Sequence, residues 1–208
     1  MLALPPLSRA RRLPAALFIA AFVAALYLLP LHVRFVQPTP LSPTALDHAV
    51  PFLDWTIWIY YSYGVFLLLP FAVCRDDERA ARALSALMAS SIVAALIFLV
   101  WPTSGVVQQP TIGGISGLLW DGLLAVDRPT NFFPSLHVAN TCICAFALRR
   151  ESNLWRYVAP VWALLIAVST LTTKQHFAVD LLGGAMLAGV SVWLTRASGE
   201  ATRSLAQQ

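Results

Sequence analysis

The sequence predicts an all-α, polytopic membrane protein, with six transmembrane helices in one bundle and a single membrane domain over residues 1–208. Three observations predict this fold. Hydrophobic residues make up 58% of the chain, charged residues make up only 12%, and the mean hydropathy is +0.70. Soluble domains carry about 25% charged residues, so the composition excludes an ordinary soluble domain. Polar or Pro- and Gly-rich segments also divide the chain into six apolar runs.

The six runs predict transmembrane helices near residues 13–33, 53–73, 84–101, 135–148, 157–173 and 177–195. The first run is longer than the roughly 7–15-residue core of a signal peptide, so we interpret it as a retained anchor. The longest connection outside the predicted helices, residues 102–134, contains Gly113, Gly114 and Gly117 and an apolar patch at residues 118–120. We expect it to form a short interfacial helix beside the substrate entrance.

The basic residues predict the orientation of the bundle. With a cytoplasmic N-terminus, 11 of the 14 lysines and arginines lie at cytoplasmic ends, and only Arg34, Arg128 and Lys174 lie outside. This distribution follows the positive-inside rule. We therefore expect both termini in the cytoplasm, a bacterial inner (plasma) membrane location, and any site near Arg128 and Lys174 on the periplasmic side. The same bias accounts for the net charge of +4, so we expect no nucleic acid as a partner, and we predict no protein partner.

A polar segment at residues 127–137 precedes the fourth apolar run and carries Arg128, Ser135 and His137. A helix beginning near Ser135 directs its free N–H groups and its positive dipole end at this segment. An arginine, a hydroxyl and a helix N-terminus together favour an anion, and phosphate is the usual one. The segment therefore predicts a phosphate site.

A second polar segment, residues 172–180, contains Lys174, His176 and Asp180. Because His176 and Asp180 are four residues apart, they share one face if the segment is helical, and can form a hydrogen bond. This spacing predicts a base that is oriented by a carboxylate. Lys174 adds a second positive charge on the same predicted side of the membrane as Arg128.

These residues predict a chemistry of phosphoryl transfer. His176 can attack phosphorus while Asp180 fixes its tautomer, and His137 can protonate the leaving alcohol and then activate water. Arg128, Lys174 and Ser135 supply charge and hydrogen-bond donors to the phosphate oxygens. We expect no metal and no cofactor, because the cations stabilise the developing charge.

The two segments resemble the motifs of the type 2 phosphatidic acid phosphatase superfamily. Residues 133–137, Phe-Pro-Ser-Leu-His, are similar to its Pro-Ser-Gly-His motif, and residues 127–129, Asp-Arg-Pro, to the end of its Lys-x6-Arg-Pro motif. His176-x3-Asp180 is similar to the end of its Ser-Arg-x5-His-x3-Asp motif. The resemblance makes residues 127–184 the expected catalytic region. It implies an α-helical core and action on lipid phosphates or diphosphates, through the residues named above.

The chain departs from these motifs at three positions. The lysine expected seven residues before Arg128 is Asp121, and the arginine expected six residues before His176 is Thr170. Leu136 replaces the motif glycine. Two expected cations are therefore missing, and Lys174 is the only obvious substitute.

The departures leave the reaction open between hydrolysis and transfer. Pro-Ser-Leu-His, together with Thr-Thr-Lys-Gln-His at residues 172–176, is more similar to the inositolphosphotransferase branch, including inositol phosphorylceramide synthases. That branch moves a phospho-head-group between lipids. The two hypotheses are a lipid phosphatase or phosphotransferase with a phosphohistidine intermediate, and an inositolphosphotransferase-like enzyme.

Three alternatives assign these residues, or the whole chain, a different kind of role. The histidines can be structural groups inside a helical bundle, although intramembrane ionisable residues are usually functional. Two histidines and a carboxylate are also a possible metal-ligand set, which the neighbouring arginine and lysine disfavour. A non-enzymatic carrier or scaffold is the third, and the missing motif cations favour the scaffold. A transporter usually shows inverted repeats and broken helices, and we find neither.

Overall fold

A computed structural model describes residues 4–33, 35–105 and 112–206, with side chains described as far as residue 196. Arg34, expected on the outer side, lies outside these ranges. The described chain is mostly helical, as predicted. Its α-helices, in chain order, are α1 (Arg9–His32), α2 (Ala45–Ala49), α3 (Ile57–Val73), α4 (Asp77–Val100), α5 (Gly114–Val126), α6 (Leu136–Leu148), α7 (Asn153–Thr172) and α8 (Ala178–Ala206).

Five helical segments are long and apolar enough to cross a membrane. They are Arg9–His32, Asp54–Val73, Asp77–Val100, Asn153–Thr172 and Ala178–Arg196. Each coincides with one of the predicted spans. Many of their large apolar side chains are exposed, as expected where a helix faces lipid.

The sixth predicted span, residues 135–148, coincides with α6, which has only 13 residues. At 1.5 Å per residue it is about 20 Å long, against a hydrocarbon core of about 30 Å. It packs against α3, α4, α7 and α8, so it lies in the centre of the bundle. A bundle with six spans stays a prediction.

Small residues allow these helices to pack closely. Buried alanines lie at the contacts of α4 and α6, including Ala83, Ala94, Ala139 and Ala147. Without large side chains between them, backbones approach each other and gain van der Waals contact, which is the main attraction between helices in lipid.

The long connection before α6 contains the short helix that the sequence predicted. This helix, α5, packs Trp120 and Leu123 against Ile57 and Tyr60 of α3. Residues 106–111 of the connection lie outside the described ranges. Two short strands flank this region: β1 (Thr39–Pro40) pairs in parallel with β2 (Thr103–Ser104). Ser104 of β2 also forms an antiparallel bridge with Thr130, so β2 lies beside the first polar segment.

Candidate active site

The segment before α6 is held in place by β2. The backbone N–H of Asn131 donates to the Thr103 carbonyl at 2.8 Å, and the N–H of Phe133 donates to the Thr103 hydroxyl at 2.8 Å. Ser135 then begins the helix, since its Oγ accepts from the backbone N–H of Val138 at 3.4 Å. The predicted helix start near Ser135 is confirmed, and the N-terminus of α6 faces the polar segment.

His137, in the first turn of α6, lies between two tyrosines of α3. The ring centres of Tyr60 and Tyr63 are both 4.5 Å from the His137 ring. The Tyr63 hydroxyl accepts from the Asn140 side-chain amide at 2.9 Å, and the Asn140 oxygen accepts from the Ser90 hydroxyl at 2.8 Å. A buried polar network across α3, α4 and α6 thus orients the tyrosine that contacts His137. Sequence reasoning missed this network, because its three residues are distant along the chain.

His176 and Asp180 are adjacent, but for a different reason than the sequence suggested. The spacing places both residues on one face only if the segment is helical, but α8 begins at Ala178 and His176 lies in the preceding turn. The N–H of His176 donates to the Thr170 carbonyl at 3.1 Å, which fixes the turn to the end of α7. Asp180 Oδ2 accepts from the N–H of Phe177 at 2.7 Å and lies 3.5 Å from Nδ1 of His176.

The two histidines share one site. Their ring centres are 5.8 Å apart, and Phe132 packs against His176 with ring centres 5.9 Å apart. Since Nδ1 of His176 faces Asp180, Nε2 is the ring nitrogen left for other chemistry. The structure therefore brings together His137, His176 and Asp180, the three residues that the sequence proposed as catalytic.

Two glycines allow the two polar segments to meet. A Cβ atom added at Gly184 would overlap the Ser135 carbonyl oxygen, and one added at Gly183 would overlap the Phe133 ring. The close approach permits a direct hydrogen bond between the segments: the N–H of Ser135 donates to the Asp180 carbonyl at 3.1 Å. The glycines that follow the His-x3-Asp pattern therefore fix the carboxylate beside the start of α6.

The two proposed cations occupy different surroundings. The Arg128 side chain is exposed and makes no ion pair or side-chain hydrogen bond within the described part of the chain. Lys174 has a positive φ of 57°, and its ammonium donates to the carbonyls of Asp47, at 2.9 Å, and Val50. Its observed contacts thus join the turn before α8 to α2. Its role at a phosphate stays a prediction.

Asp47 is a supporting residue that the sequence analysis missed. Its Oδ1 accepts from the N–H of Ala178 at 2.7 Å, so it caps α8, and its Oδ2 accepts from Thr44. Burial by itself raises the pKa of this carboxyl, but the bonds from Thr44 and Ala178 and the nearby Lys174 outweigh it and lower the pKa. Thr44-x-x-Asp47 matches a capping box, which predicts the α2 start but not the distant contact.

A cleft of about 430 Å³ reaches His176 from the side of α2. Asp47, His48 and Lys174 give it a polar part, and its other lining residues are mainly apolar. Its size falls in the range of about 300–1,000 Å³ that is typical of small-molecule sites. The cleft therefore reaches the same histidine that faces Asp180.

Asp127 is also part of the region, through a contact that was not expected. Its Oδ1 accepts from the Tyr27 hydroxyl of α1 and from the N–H of Arg128. Burial raises the pKa of the Asp127 carboxyl, while these two bonds and the nearby His176 oppose the rise. A loop aspartate next to an arginine is usually solvated or paired with that arginine. In the structure, Asp127 instead accepts a hydrogen bond from the Tyr27 hydroxyl.

The residues at the departures from the motifs have structural contacts. Asp121 is exposed on α5, and Leu136 is buried against Phe98 and Leu187. Thr170 is buried, its hydroxyl donates to the Ala167 carbonyl at 2.7 Å, and its own carbonyl holds the turn of His176. Neither Asp121 nor Thr170 carries a positive charge, so the two missing motif cations are not replaced at these positions.

Unsatisfied buried polar atoms concentrate at the site. Within the described side chains, the buried nitrogen and oxygen atoms without a hydrogen-bond partner belong to Trp120, Thr130, Asn131, His176 and Asp180. Buried polar groups nearly always find partners in folded proteins. Four of these five residues lie in the motif region 127–184. Purely structural histidines would be expected to have satisfied neighbours, so this concentration favours a site built for a polar ligand.

Comparison with known families agrees with the motifs. The family model described as the PAP2 superfamily matches residues 38–194, which is more than half of the chain. The match contains both polar segments and the cleft. No curated protein matches the chain.

Proposed function

The chain belongs to the PAP2 superfamily, and from this premise we propose that it is an integral membrane lipid phosphatase or phosphotransferase. The superfamily generally comprises phosphatases and phosphotransferases. The observation that carries the proposal is the placement of His137, His176 and Asp180 in one buried site, at a helix N-terminus.

The proposed first step forms a phosphohistidine. The Nε2 lone pair of neutral His176 forms a bond to phosphorus while the bond from phosphorus to the leaving oxygen breaks. His137, in its protonated form, gives a proton to the leaving alcohol. Asp180, 3.5 Å from Nδ1, orients the ring and stabilises the positive charge that the ring acquires, as triad carboxylates do.

The second step discharges the intermediate. His137, now neutral, takes a proton from water or from an acceptor alcohol, and the oxygen of that molecule attacks phosphorus. The bond from His176 to phosphorus breaks, and its electron pair returns to Nε2. Water releases free phosphate, whereas an alcohol yields a new phosphodiester or phosphomonoester. No metal enters either step of this proposal.

Hydrogen-bond donors for the phosphate oxygens come from the start of α6. Free N–H groups and the helix dipole favour an anion there, and Ser135 holds the first turn in place. Arg128 is exposed in the preceding segment, so its guanidinium is free to turn toward a bound phosphate. Lys174 lines the cleft that reaches His176, and we propose that it adds positive charge to the substrate path.

The inositolphosphotransferase-like reaction is the second candidate. It is supported by the cleft, because a transferase must admit an acceptor to the same histidine after the first product leaves. The cleft lies beside His176 and has a polar part formed by Asp47, His48 and Lys174. An acceptor bearing hydroxyl groups fits this mixture of polar and apolar walls.

We propose that the site opens on the periplasmic side of a bacterial inner membrane, with six spans and both termini in the cytoplasm. The proposal rests on the arginines. Those at the end of the bundle opposite the histidines greatly outnumber those beside them, which is the expected bias for a cytoplasmic face.

The test is an assay of the purified full chain in detergent with a chelator, following free phosphate and new phospholipid species together. The substrates are phosphatidic acid, an isoprenyl diphosphate, and phosphatidylinositol with a lipid alcohol acceptor. The variant is His176→Ala, and His32→Ala is the matched control, since His32 is exposed at the end of α1.

Free phosphate that is lost in His176→Ala and kept in His32→Ala supports a hydrolase. A new phospholipid without free phosphate, with the same dependence on His176, supports the transferase. Radiolabel that stays on the protein after rapid quenching and is lost in acid supports the phosphohistidine. Turnover that survives His176→Ala contradicts the mechanism. If the wild type turns over none of the substrates, a carrier or scaffold is favoured.

A further inference from the structure

A second cleft opens at the end of the bundle opposite the two histidines. It has a volume of about 320 Å³ and lies between α4, α6 and α8. Small and apolar side chains, including Ala83, Ile143 and Val192, form part of its wall. Four arginines also line it: Arg79, Arg82, Arg150 and Arg196. The cleft thus combines an apolar interior with a high density of positive charge.

An aromatic ring brings a fifth arginine, Arg149, close to Arg196 beside the cleft. The guanidinium carbons of Arg149 and Arg196 lie 4.0 Å and 4.5 Å from the centre of the Phe146 ring. Phe146 itself lines the cleft. The pKa of Arg149 is lowered, first by partial burial and then by the positive charges of Arg150 and Arg196. Like charges are therefore close enough to repel one another here.

Nearby carboxylates balance only part of this charge. Arg79 pairs with Glu151 and with Asp76, the latter at 3.4 Å. Arg82 pairs with Glu78 at 3.5 Å. Within the described side chains, no ion pair is formed by Arg149, Arg150 or Arg196. Among the described side chains, five arginines therefore face three carboxylates, and an anion in the cleft would relieve the repulsion between the arginines.

We propose that this cleft binds the phosphate group of an anionic phospholipid, at a site separate from the candidate active site. A lipid fits better than a soluble anion for two reasons. The cleft lies between helices of the membrane bundle and has an apolar wall, so the first carbons of the acyl chains gain contact. Trp193 of α8, close in sequence to Arg196, is 66% exposed, and tryptophans are enriched where helices meet the membrane surface.

The size of the cleft agrees with a head group. Its volume of about 320 Å³ lies at the low end of the range for small-ligand pockets, so the head group enters while the chains stay in the bilayer. Basic pockets between transmembrane helices are known binding sites for anionic lipid head groups. Because the cleft joins α4, α6 and α8, a bound lipid holds together the two helices that carry His137 and Asp180.

The test measures lipid binding by the purified full chain in a neutral detergent. Phosphatidylglycerol and phosphatidylcholine with identical acyl chains are titrated, and bound lipid is counted by native mass spectrometry, while thermal unfolding is followed in parallel. The measurements use a His176→Ala background, so that turnover does not alter the lipid. The test variant is Arg150→Gln with Arg196→Gln. The control is Arg156→Gln, an exposed arginine of α7 that does not line the cleft.

Phosphatidylglycerol is expected to bind more tightly than phosphatidylcholine and to raise the unfolding temperature. Each arginine near an anionic lipid surface contributes about a fivefold change in affinity, so the double variant should bind roughly 25-fold more weakly. Arg156→Gln should bind as the parent does. If the double variant does not purify as a folded protein, Arg150→Gln alone should show the fivefold loss.

Three outcomes overturn the proposal. The first is equal affinity for the two lipids. The second is unchanged phosphatidylglycerol binding in the folded double or single variant. The third is displacement of the lipid by inorganic phosphate or glycerol phosphate at equal concentration, which indicates a site for a soluble anion. None of these readouts depends on catalysis, so they are independent of the proposed enzyme activity.

Discussion

Nδ1 of His176 lies 3.5 Å from Oδ2 of Asp180, and the same carboxylate oxygen accepts the N–H of Phe177 at 2.7 Å. One carboxylate oxygen therefore accepts a backbone N–H at the start of α8 and also faces the imidazole beside it. The distance to the histidine is longer than a hydrogen bond of about 2.7–3.2 Å. In the proposed reaction the contact shortens as His176 becomes positively charged.

The first prediction concerns this carboxylate. Asp180→Asn keeps an oxygen that can accept from Phe177, so the fold is retained, but it removes the negative charge that stabilises a charged His176. The rate of phosphate release or transfer should fall by about 10³–10⁴-fold, as it does for triad carboxylates. The measurement is kcat under saturating lipid, with thermal unfolding as the control for the fold.

A rate for Asp180→Asn within a few fold of the wild type would show that Asp180 only caps α8. Loss of activity together with a collapsed unfolding temperature would show that its main role is in folding. The prediction requires kcat to fall strongly and the unfolding temperature to change little.

The second prediction concerns Gly184. A Cβ there would overlap the Ser135 carbonyl oxygen, whereas the space around Gly189 on the same helix is empty. Replacing a helical glycine by alanine gains up to about 1 kcal/mol, but forcing an atom into a packed contact costs about 1–3 kcal/mol. Gly184→Ala should therefore lower the unfolding temperature and reduce activity at least tenfold.

Gly189→Ala is the matched control for Gly184→Ala, because it makes the same chemical change on the same helix. It should leave activity unchanged and leave stability equal or slightly higher. If both variants behave alike, the close approach of α8 to Ser135 does not position the site.

The third prediction concerns Tyr63. Tyr63→Phe keeps the ring beside His137 but leaves the amide nitrogen of Asn140 without its acceptor. An unsatisfied buried donor costs about 1–3 kcal/mol, so the unfolding temperature should fall while kcat changes less than about threefold. Tyr63→Ala also removes the ring, and kcat should then fall at least tenfold because His137 loses one of its two flanking rings.

Comparing the two Tyr63 variants separates the hydroxyl from the ring. Equal loss of kcat in both would assign the hydroxyl a part in proton transfer, which contradicts a positioning role. The pH dependence of kcat gives a second readout, and it should be shifted by Tyr63→Ala more than by Tyr63→Phe.

Features that depend on neighbouring residues were predictable from the sequence. The long apolar runs located α1, α3, α4, α7 and α8, because a helix that faces lipid must be apolar along its length. Ser135 was recognisable as a cap because a cap acts within one turn. The proposed catalytic pair His176 and Asp180 was recognisable because its spacing is short and its residue types are costly inside a membrane.

Features that depend on distant residues were not predictable in this way. The hydrogen bonds from the Lys174 ammonium to carbonyls more than 120 positions away in sequence were not predicted. The i, i+4 spacing suggested a shared helical face for His176 and Asp180, whereas the N–H of His176 donates to the Thr170 carbonyl in a turn before the helix. Local spacing carries no information on which carbonyl a turn meets. The Ser90, Asn140 and Tyr63 network was hidden for the same reason.

The last prediction concerns Asp47, whose carboxylate caps α8 just after His176. Its pKa is lowered in the folded protein from the ordinary value of 3.8. A carboxyl with a lowered folded pKa binds protons more readily when unfolded, so it stabilises the fold above the unfolded pKa. That stabilisation is lost as the pH falls through the lower, folded pKa.

Asp47→Asn should therefore unfold at a lower temperature than the wild type at pH 7, because Asn offers an amide where Thr44 now donates to Oδ2. A lost charge-assisted bond costs about 1.5–3 kcal/mol, which is several degrees for a chain of this size. The difference should stay constant down to about pH 5 and shrink below pH 4, as the wild-type carboxyl itself becomes neutral. Asp121→Asn, which changes an exposed carboxyl of α5, should show no such difference at any pH. A difference for Asp47→Asn that persists undiminished at pH 3 would mean that the charge of Asp47 does not hold α8 in place.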